Sequence, residues 1–201
     1  SYANFGQELF ESDIARLIYP ESRALVQAHL AKGHTVAIIT SATRYQVEPA
    51  ARDLGIENVL FTELEVEKGY FTGKVVQPTC FGEGKVTAAE SLAAAHGVDL
   101  DRSFFYSDSD DDIELMERVG RPQPLNPNTK LTEIAEREGW PIRRFKSRGQ
   151  PHIIDYVRSL AATVSLVPSA VAGTLIIRFG RSTAVQRRRA SATVPSVSRA
   201  R

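Results

Sequence analysis

Four carboxylates, Asp108, Asp110, Asp111 and Asp112, fall within five positions directly behind the apolar run Phe104-Phe105-Tyr106. Side chains this close repel one another and ionise together only at a cost. A bound hard cation removes that cost, and oxygen-only ligands suit Mg²⁺. A solvated helix start would account for one or two aspartates, but less easily for four straight after a buried strand. Two further segments carry groups suited to phosphate. Thr40-Ser41 follows the β-branched run Thr35-Val36-Ala37-Ile38-Ile39 and offers hydroxyls and adjacent N–H groups to phosphate oxygens. Gly82-Glu83-Gly84-Lys85 opens an Ala-rich segment, and Lys85 can neutralise a phosphate as a point charge. Each of the two also has an ordinary reading, as a helix N-cap and as a solvated first-turn lysine.

The elements that must hold these groups follow from periodicity. Residues 7–18 repeat at helical spacing, and a second helix opens at Pro20 and closes at Gly33. The strand 35–39 feeds a helix ending at Gly55, and Val59-Leu60-Phe61 is a short strand. Lys68-Gly69 and Thr72-Gly73 within residues 63–76 predict a hairpin. A helix over 82–96, a strand over 103–106, a helix over 113–119, a short strand at 123–126 and a helix over 129–138 complete the series. Strands alternating with helices predict a mostly parallel sheet with helices on both faces, and sites at the C-terminal ends of its strands. No internal repeat interrupts the order.

Bulk numbers bound the rest. The chain has 201 residues, 42% of them hydrophobic and 24% charged, within the range of soluble globular proteins. The single cysteine, Cys80, excludes an internal disulfide and fits a reducing compartment. The four histidines (His29, His34, His96, His152) share no metal-ligand spacing. The net charge of +1 hides a split: residues 1–140 sum to −10 and residues 141–201 to +11. Residues 159–177 contain no charged side chain, a length that could span a bilayer, although Pro168, Gly173 and several Ser/Thr also suit a segment lying at the interface. The Arg/Ser-rich residues 187–201 are low in complexity and lack aromatics for base stacking, which argues against nucleic acid. No basic, apolar leader opens the chain at Ser1.

Together, Ile-Ile-Thr-Ser-Ala-Thr, Gly-Glu-Gly-Lys and Tyr-Ser-Asp-Ser-Asp-Asp-Asp resemble motifs two, three and four of the haloacid dehalogenase-like phosphatase superfamily. Val47-Glu48-Pro49, Tyr70-Phe71-Thr72-Gly73 and Asn126-Pro127 are similar to its phosphoserine phosphatase-like subclass (subfamily IB), over roughly residues 5–145. The resemblance implies a Rossmann-like, three-layer α/β/α fold with a mostly parallel sheet, and hydrolysis of a small phosphorylated metabolite through an aspartyl-phosphate. Thr40 would hydrogen-bond the phosphoryl group, Ser41 would add its N–H, and Lys85 would bind phosphoryl oxygens. Asp108 would ligate Mg²⁺, Asp112 would support it directly or through water, and Asp111 would sit where many relatives carry Asn or Ser. Ser107 and Ser109 stand where many relatives have glycine.

One departure matters. The family's first motif, Asp-x-Asp-x-Thr after an N-terminal strand, supplies the nucleophile, and nothing here matches it. Asp13 is the only aspartate before Thr40 and falls in a helical pattern. The expectation is therefore an N-terminally incomplete member, with residues 1–34 as the end of a helical cap and its lead-in helix. Residues 35–145 would be the core, lacking its central strand and hydrolysing little as it stands.

The C-terminal part has a second resemblance. Arg144 to Gly149 with Asp155-Tyr156-Val157-Arg158 is similar to the junction in bifunctional proteins that fuse this domain to a 1-acylglycerol-3-phosphate acyltransferase. That enzyme's His-x-x-x-x-Asp motif is absent, because His152 precedes Asp155 by only three. Residues 146–180 are expected as a helical, apolar linker and 181–201 as a basic, disordered tail, with contact to a membrane surface through 146–189. A cytoplasmic protein peripheral to the inner face of the membrane would follow. Two alternatives stand beside the hydrolase reading: a membrane-associated module of phospholipid synthesis, and a doubly wound, non-catalytic domain binding Mg²⁺ and phosphate.

Overall fold

A computed structural model describes residues 2–146 and 174–177. Its elements, in chain order, are α1 (Tyr2–Leu9), α2 (Pro20–Ala31), β1 (Thr35–Ile39), α3 (Arg44–Leu54), β2 (Asn58–Leu60), β3 (Leu64–Glu67), β4 (Tyr70–Val75), α4 (Glu83–His96), β5 (Phe104–Ser107), α5 (Ile113–Arg118), β6 (Arg121–Pro124), α6 (Thr129–Glu138) and β7 (Thr174–Ile177). Five strands form one parallel sheet in the order β2-β1-β7-β5-β6, and β3 with β4 forms a separate hairpin.

Alternation along the strands divides the core. Val36 and Ile38 of β1 face one side with Phe104 and Tyr106 of β5, and there Leu25 and Val26 of α2 and Val47, Ala51 and Leu54 of α3 cover them. Ile39 and Phe105 face the other side, under Ala89 and Ala93 of α4, Leu115 and Met116 of α5, and Leu131 of α6. Both faces of the sheet are therefore buried, and its strands read as continuous apolar runs. The result is the expected three-layer α/β/α arrangement.

Several boundaries differ from the sequence expectation. Residues 7–18 do not form one helix: after α1 the chain winds into a π turn (Phe10–Ile14) and a 3₁₀ turn (Ala15–Leu17), so the helical spacing survives while the winding changes. The short strand expected at 123–126 is β6 at 121–124, on the edge of the sheet. It contains Pro122 and Pro124, which an edge strand tolerates because one side of it has no ladder to complete.

The larger correction concerns the centre of the sheet. It was expected to lack a strand; instead β7 lies there, parallel to both neighbours, with Ile177 level with Ile38 of β1 and Tyr106 of β5. The last four residues of the charge-free run 159–177 are thus a strand, not part of a helical linker. The rest of that run, the basic tail and His152 lie outside the described residues. Among the described residues no helix is long and apolar enough to cross a membrane.

Proline and glycine shape two contacts. Pro49 sits inside α3 and has no N–H to give the carbonyl of Tyr45 one turn back. Gly6 of α1 approaches that same carbonyl so closely that a Cβ would lie 2.0 Å from its oxygen, so α1 and α3 meet backbone to backbone. The hairpin β3–β4 turns on Lys68 and Gly69, both at positive φ (52° and 83°), as a two-residue type I′ turn requires. Lysine is strained there, so Lys68→Asn is expected to raise stability by about 0.5–1 kcal/mol in urea unfolding.

Candidate functional site

Three loops converge at the C-terminal ends of β1 and β5. Thr40 directly follows β1 and is buried, and its Oγ1 accepts the N–H of Ala42 (3.1 Å), which fixes the turn into α3. Ser41 next to it is half-buried. Lys85 lies in the first turn of α4 and is only 1% exposed. Its Nζ donates to Oδ1 of Asp112, which is equally buried. Ser107, at the end of β5, donates its hydroxyl to the other oxygen of Asp112. A buried lysine is tolerated only with such a partner.

Cys80 is buried between these loops and its Sγ donates to the Leu60 carbonyl (3.7 Å). Burial pushes the thiol above its ordinary pKa, and the Thr40 backbone and Lys85 pull weakly the other way. Its N–H donates to Thr62 Oγ1 (3.1 Å). The structure therefore brings Lys85 and Asp112, 27 residues apart, into one buried pair. Cys80 and Ser107 were not singled out as site residues: Ser107 was noted only as standing where relatives have glycine, though its partner Asp112 is five residues on, and the packing of Cys80 against Thr62, 18 residues back, has no local signal.

The acidic loop is partly neutralised by the protein itself. Asp110 accepts from Asn128 Nδ2 (2.7 Å) and pairs with Lys130 (2.8 Å), and these two hold its carboxyl below the usual range, Lys130 foremost. Asn128 also caps α6 through Leu131 N–H (2.8 Å), while its own N–H reaches the Asp108 carbonyl (2.9 Å). The start of α6 is thereby tied to the loop after β5.

The metal set expected at Asp108, Asp111 and Asp112 takes a particular form. Asp112 gives both oxygens to Lys85 and Ser107. Among the described residues, no three of His, Cys, Asp and Glu are grouped to hold a metal ion. A closed all-protein cage is therefore not built. The donors at the loop are nonetheless hard carboxylate oxygens beside a phosphate-suited lysine. Such a set fits Mg²⁺, which takes one or two carboxylates and fills its shell with water and phosphate oxygens.

Gly84 is dictated by space. A Cβ there would lie 1.9 Å from the Thr79 carbonyl oxygen, so the loop bearing Cys80 presses directly on the start of α4. Gly84→Ala is expected to push that start outward, destabilise by about 1–3 kcal/mol as over-packing does, and displace Lys85. Urea unfolding with phosphate titration would show both effects together.

The chain also has known relatives. The haloacid dehalogenase-like hydrolase family matches residues 2–117. The chain is 39% identical over 142 residues to phosphoserine phosphatase SerB1 of Mycobacterium tuberculosis, covering 70% of this chain and 46% of that protein. It is 33% identical over 148 residues to a histidinol-phosphatase of Neisseria meningitidis, covering 72% of this chain and 67% of that one. Among solved structures, a Bordetella pertussis protein of unknown function superposes with a TM-score of 0.67 at 32% identity, over 72% of this chain and 66% of the other. The chain spans about half the length of most curated relatives it matches. With the fold, the three converging loops and the match over residues 2–117 in place, the chain belongs to the haloacid dehalogenase-like hydrolase family.

Proposed function

We propose that this chain carries the phosphoryl-binding half of a Mg²⁺-dependent phosphomonoester hydrolase acting on a small phosphorylated metabolite. The observation that carries the reading is the buried Lys85–Asp112 pair, with Thr40 buried just after β1, in a chain whose strands form a parallel sheet. Thr40 Oγ1 and the Ser41 N–H would hold phosphoryl oxygens, and Lys85 would neutralise them in a site poor in water, where a charge acts strongly. Ser107 and Asp112 would aim the lysine. Asp108 would hold Mg²⁺ with Asp111 and Asp112 around it, and the ion when bound would offset charge on the phosphoryl oxygens. The names of the matched relatives make phosphoserine and histidinol phosphate the first compounds to try.

The family's aspartyl-phosphate route needs a carboxylate nucleophile from an Asp-x-Asp-x-Thr motif, and none occurs in these 201 residues. The chain is therefore expected to bind phosphate and Mg²⁺ while hydrolysing little. Titrating inorganic phosphate by calorimetry against the chain and Thr40→Val tests this. Loss of the hydroxyl should weaken binding about tenfold, the worth of one hydrogen bond to a charged group. Equal affinities for the two proteins, or p-nitrophenyl phosphate hydrolysis abolished by Asp13→Asn, would overturn the proposal.

A further inference from the structure

One residue at the start of α6 grips the loop after β5 twice. Asn128 N–H donates to the Asp108 carbonyl (2.9 Å), and Asn128 Nδ2 donates to Asp110 Oδ1 (2.7 Å). The two bonds fall on either side of Ser109. A third, from Leu131 N–H to Asn128 Oδ1 (2.8 Å), caps the helix. Capping needs only that third bond. The other two serve the loop.

Asn128 is itself held firmly. Leu125 N–H donates to the Ser107 carbonyl (2.8 Å) and Asn126 N–H to the Arg143 carbonyl (2.8 Å), and Pro127 is buried. Within the loop, Ser107 Oγ accepts from Ser109 N–H and Ser109 Oγ accepts from Asp111 N–H, both at 3.2 Å. Those bonds shape the loop from inside, while Asn128 holds it from outside. Asp110 is engaged on both oxygens, by Asn128 on Oδ1 and by Lys130 Nζ on Oδ2 (2.8 Å). Asp112 is likewise engaged on both, by Lys85 and Ser107.

We infer that Asn128 is a positioning residue for the Mg²⁺ loop, and that Asp110 is the handle by which it holds the loop rather than a ligand. This rests on the Mg²⁺-binding role proposed for Asp108. With the Asp108 backbone and the Asp110 side chain both fixed, the segment between them has little freedom left to lose when an ion binds. Groups that orient a ligating carboxylate from outside carry tenfold or more of metal affinity. The four clustered aspartates thus divide: Asp110 anchors the loop, Asp112 aims Lys85, and Asp108 with Asp111 faces the ion.

The test titrates the 201-residue chain with Mn²⁺, an oxygen-preferring stand-in for Mg²⁺, reading the free ion by EPR. Inorganic phosphate, titrated separately by calorimetry without metal, reads the Lys85 side alone. Asn128→Asp keeps an acceptor for Leu131 N–H, so the helix stays capped, but it loses the donor to Asp110. Mn²⁺ binding is expected to weaken about tenfold, the lower end for an orienting group. The added negative charge by itself would tighten it, so weakening marks lost geometry. Asn128→Asp combined with Asp110→Asn rebuilds the bond with donor and acceptor exchanged, and should return Mn²⁺ affinity close to that of the parent chain. Phosphate affinity should stay the same throughout. Unchanged or tighter Mn²⁺ binding in Asn128→Asp, no recovery in the double variant, or a parallel loss of phosphate affinity overturns the role of Asn128. No Mn²⁺ binding by the parent chain overturns the Mg²⁺ reading and this inference with it.

Discussion

Replacing Lys85 with methionine is expected to cost about 3–5 kcal/mol of folding stability, the usual penalty for stranding a buried charge. Asp112 is 1% exposed and has Lys85 Nζ on one oxygen and Ser107 on the other. Without the ammonium it must either remain ionised away from water or take up a proton, and both are unfavourable. Asp112→Asn should cost a similar amount by leaving the ammonium uncompensated. The pair Lys85→Met with Asp112→Leu should cost much less than the two single losses added together, because neither charge is then left behind. Urea unfolding of the four proteins checks this. Additive single and double costs would mean that the pair is not a unit. The distinction matters for the site: a lysine held only by packing could be moved freely, whereas one held by Asp112 is aimed by it.

The second large effect is a loss of stability in acid, centred on His29. This side chain of α2 is completely buried. Its Nδ1 lies 2.8 Å from Nδ1 of His34 and its Nε2 lies 3.3 Å from the Tyr106 hydroxyl, with the Phe104 ring edge-on beside it. Burial above all, then the charges of His34 and Arg143, pushes its pKa from 6.5 down to about 3. The folded chain therefore keeps His29 neutral between those values, while the unfolded chain protonates it. Stability from this residue is intact above pH 6.5 and drains away as pH falls towards 3. Each unit of pH costs about 1.4 kcal/mol, or about 2 kcal/mol at pH 5. His34 is lowered as well, by burial first and Lys32 second, and acts in the same direction. His29→Leu should flatten the decline between pH 7 and pH 5, as read from urea midpoints at each pH. An unchanged decline would show that other groups carry it.

Where local pattern decides structure, the sequence was readable. β1 and α2 emerged close to their observed bounds because β-branched runs and Pro/Gly punctuation act within a few residues. Thr40, Lys85 and Asp108 were picked out as candidates because each sits where a strand ends or a helix begins and because the order of their motifs resembles a known family. The unwinding at 10–17 was not readable, since turns of five and three residues are too short for their period to show. The tie of Asp112 to Lys85, 27 residues away, is set by how α4 and the β5 loop pack, and periodicity is blind to that. β7 was missed for a related reason. A charge-free stretch announces burial but not its partner, and in a parallel sheet the partners are remote in sequence.

The position of β7 also bears on the order in which the molecule assembles. The pairs β2-β1 and β5-β6 are each made from neighbouring segments, but β1 and β5 never pair with each other; only β7 joins them. The sheet thus cannot close until residues 174–177 arrive, more than 60 positions after β5 and more than 130 after β1. Contacts so distant in the chain are slow to form. Until β7 is in place β1 and β5 each keep an inner edge without a partner, and those edges are where a stray strand from another chain would bind.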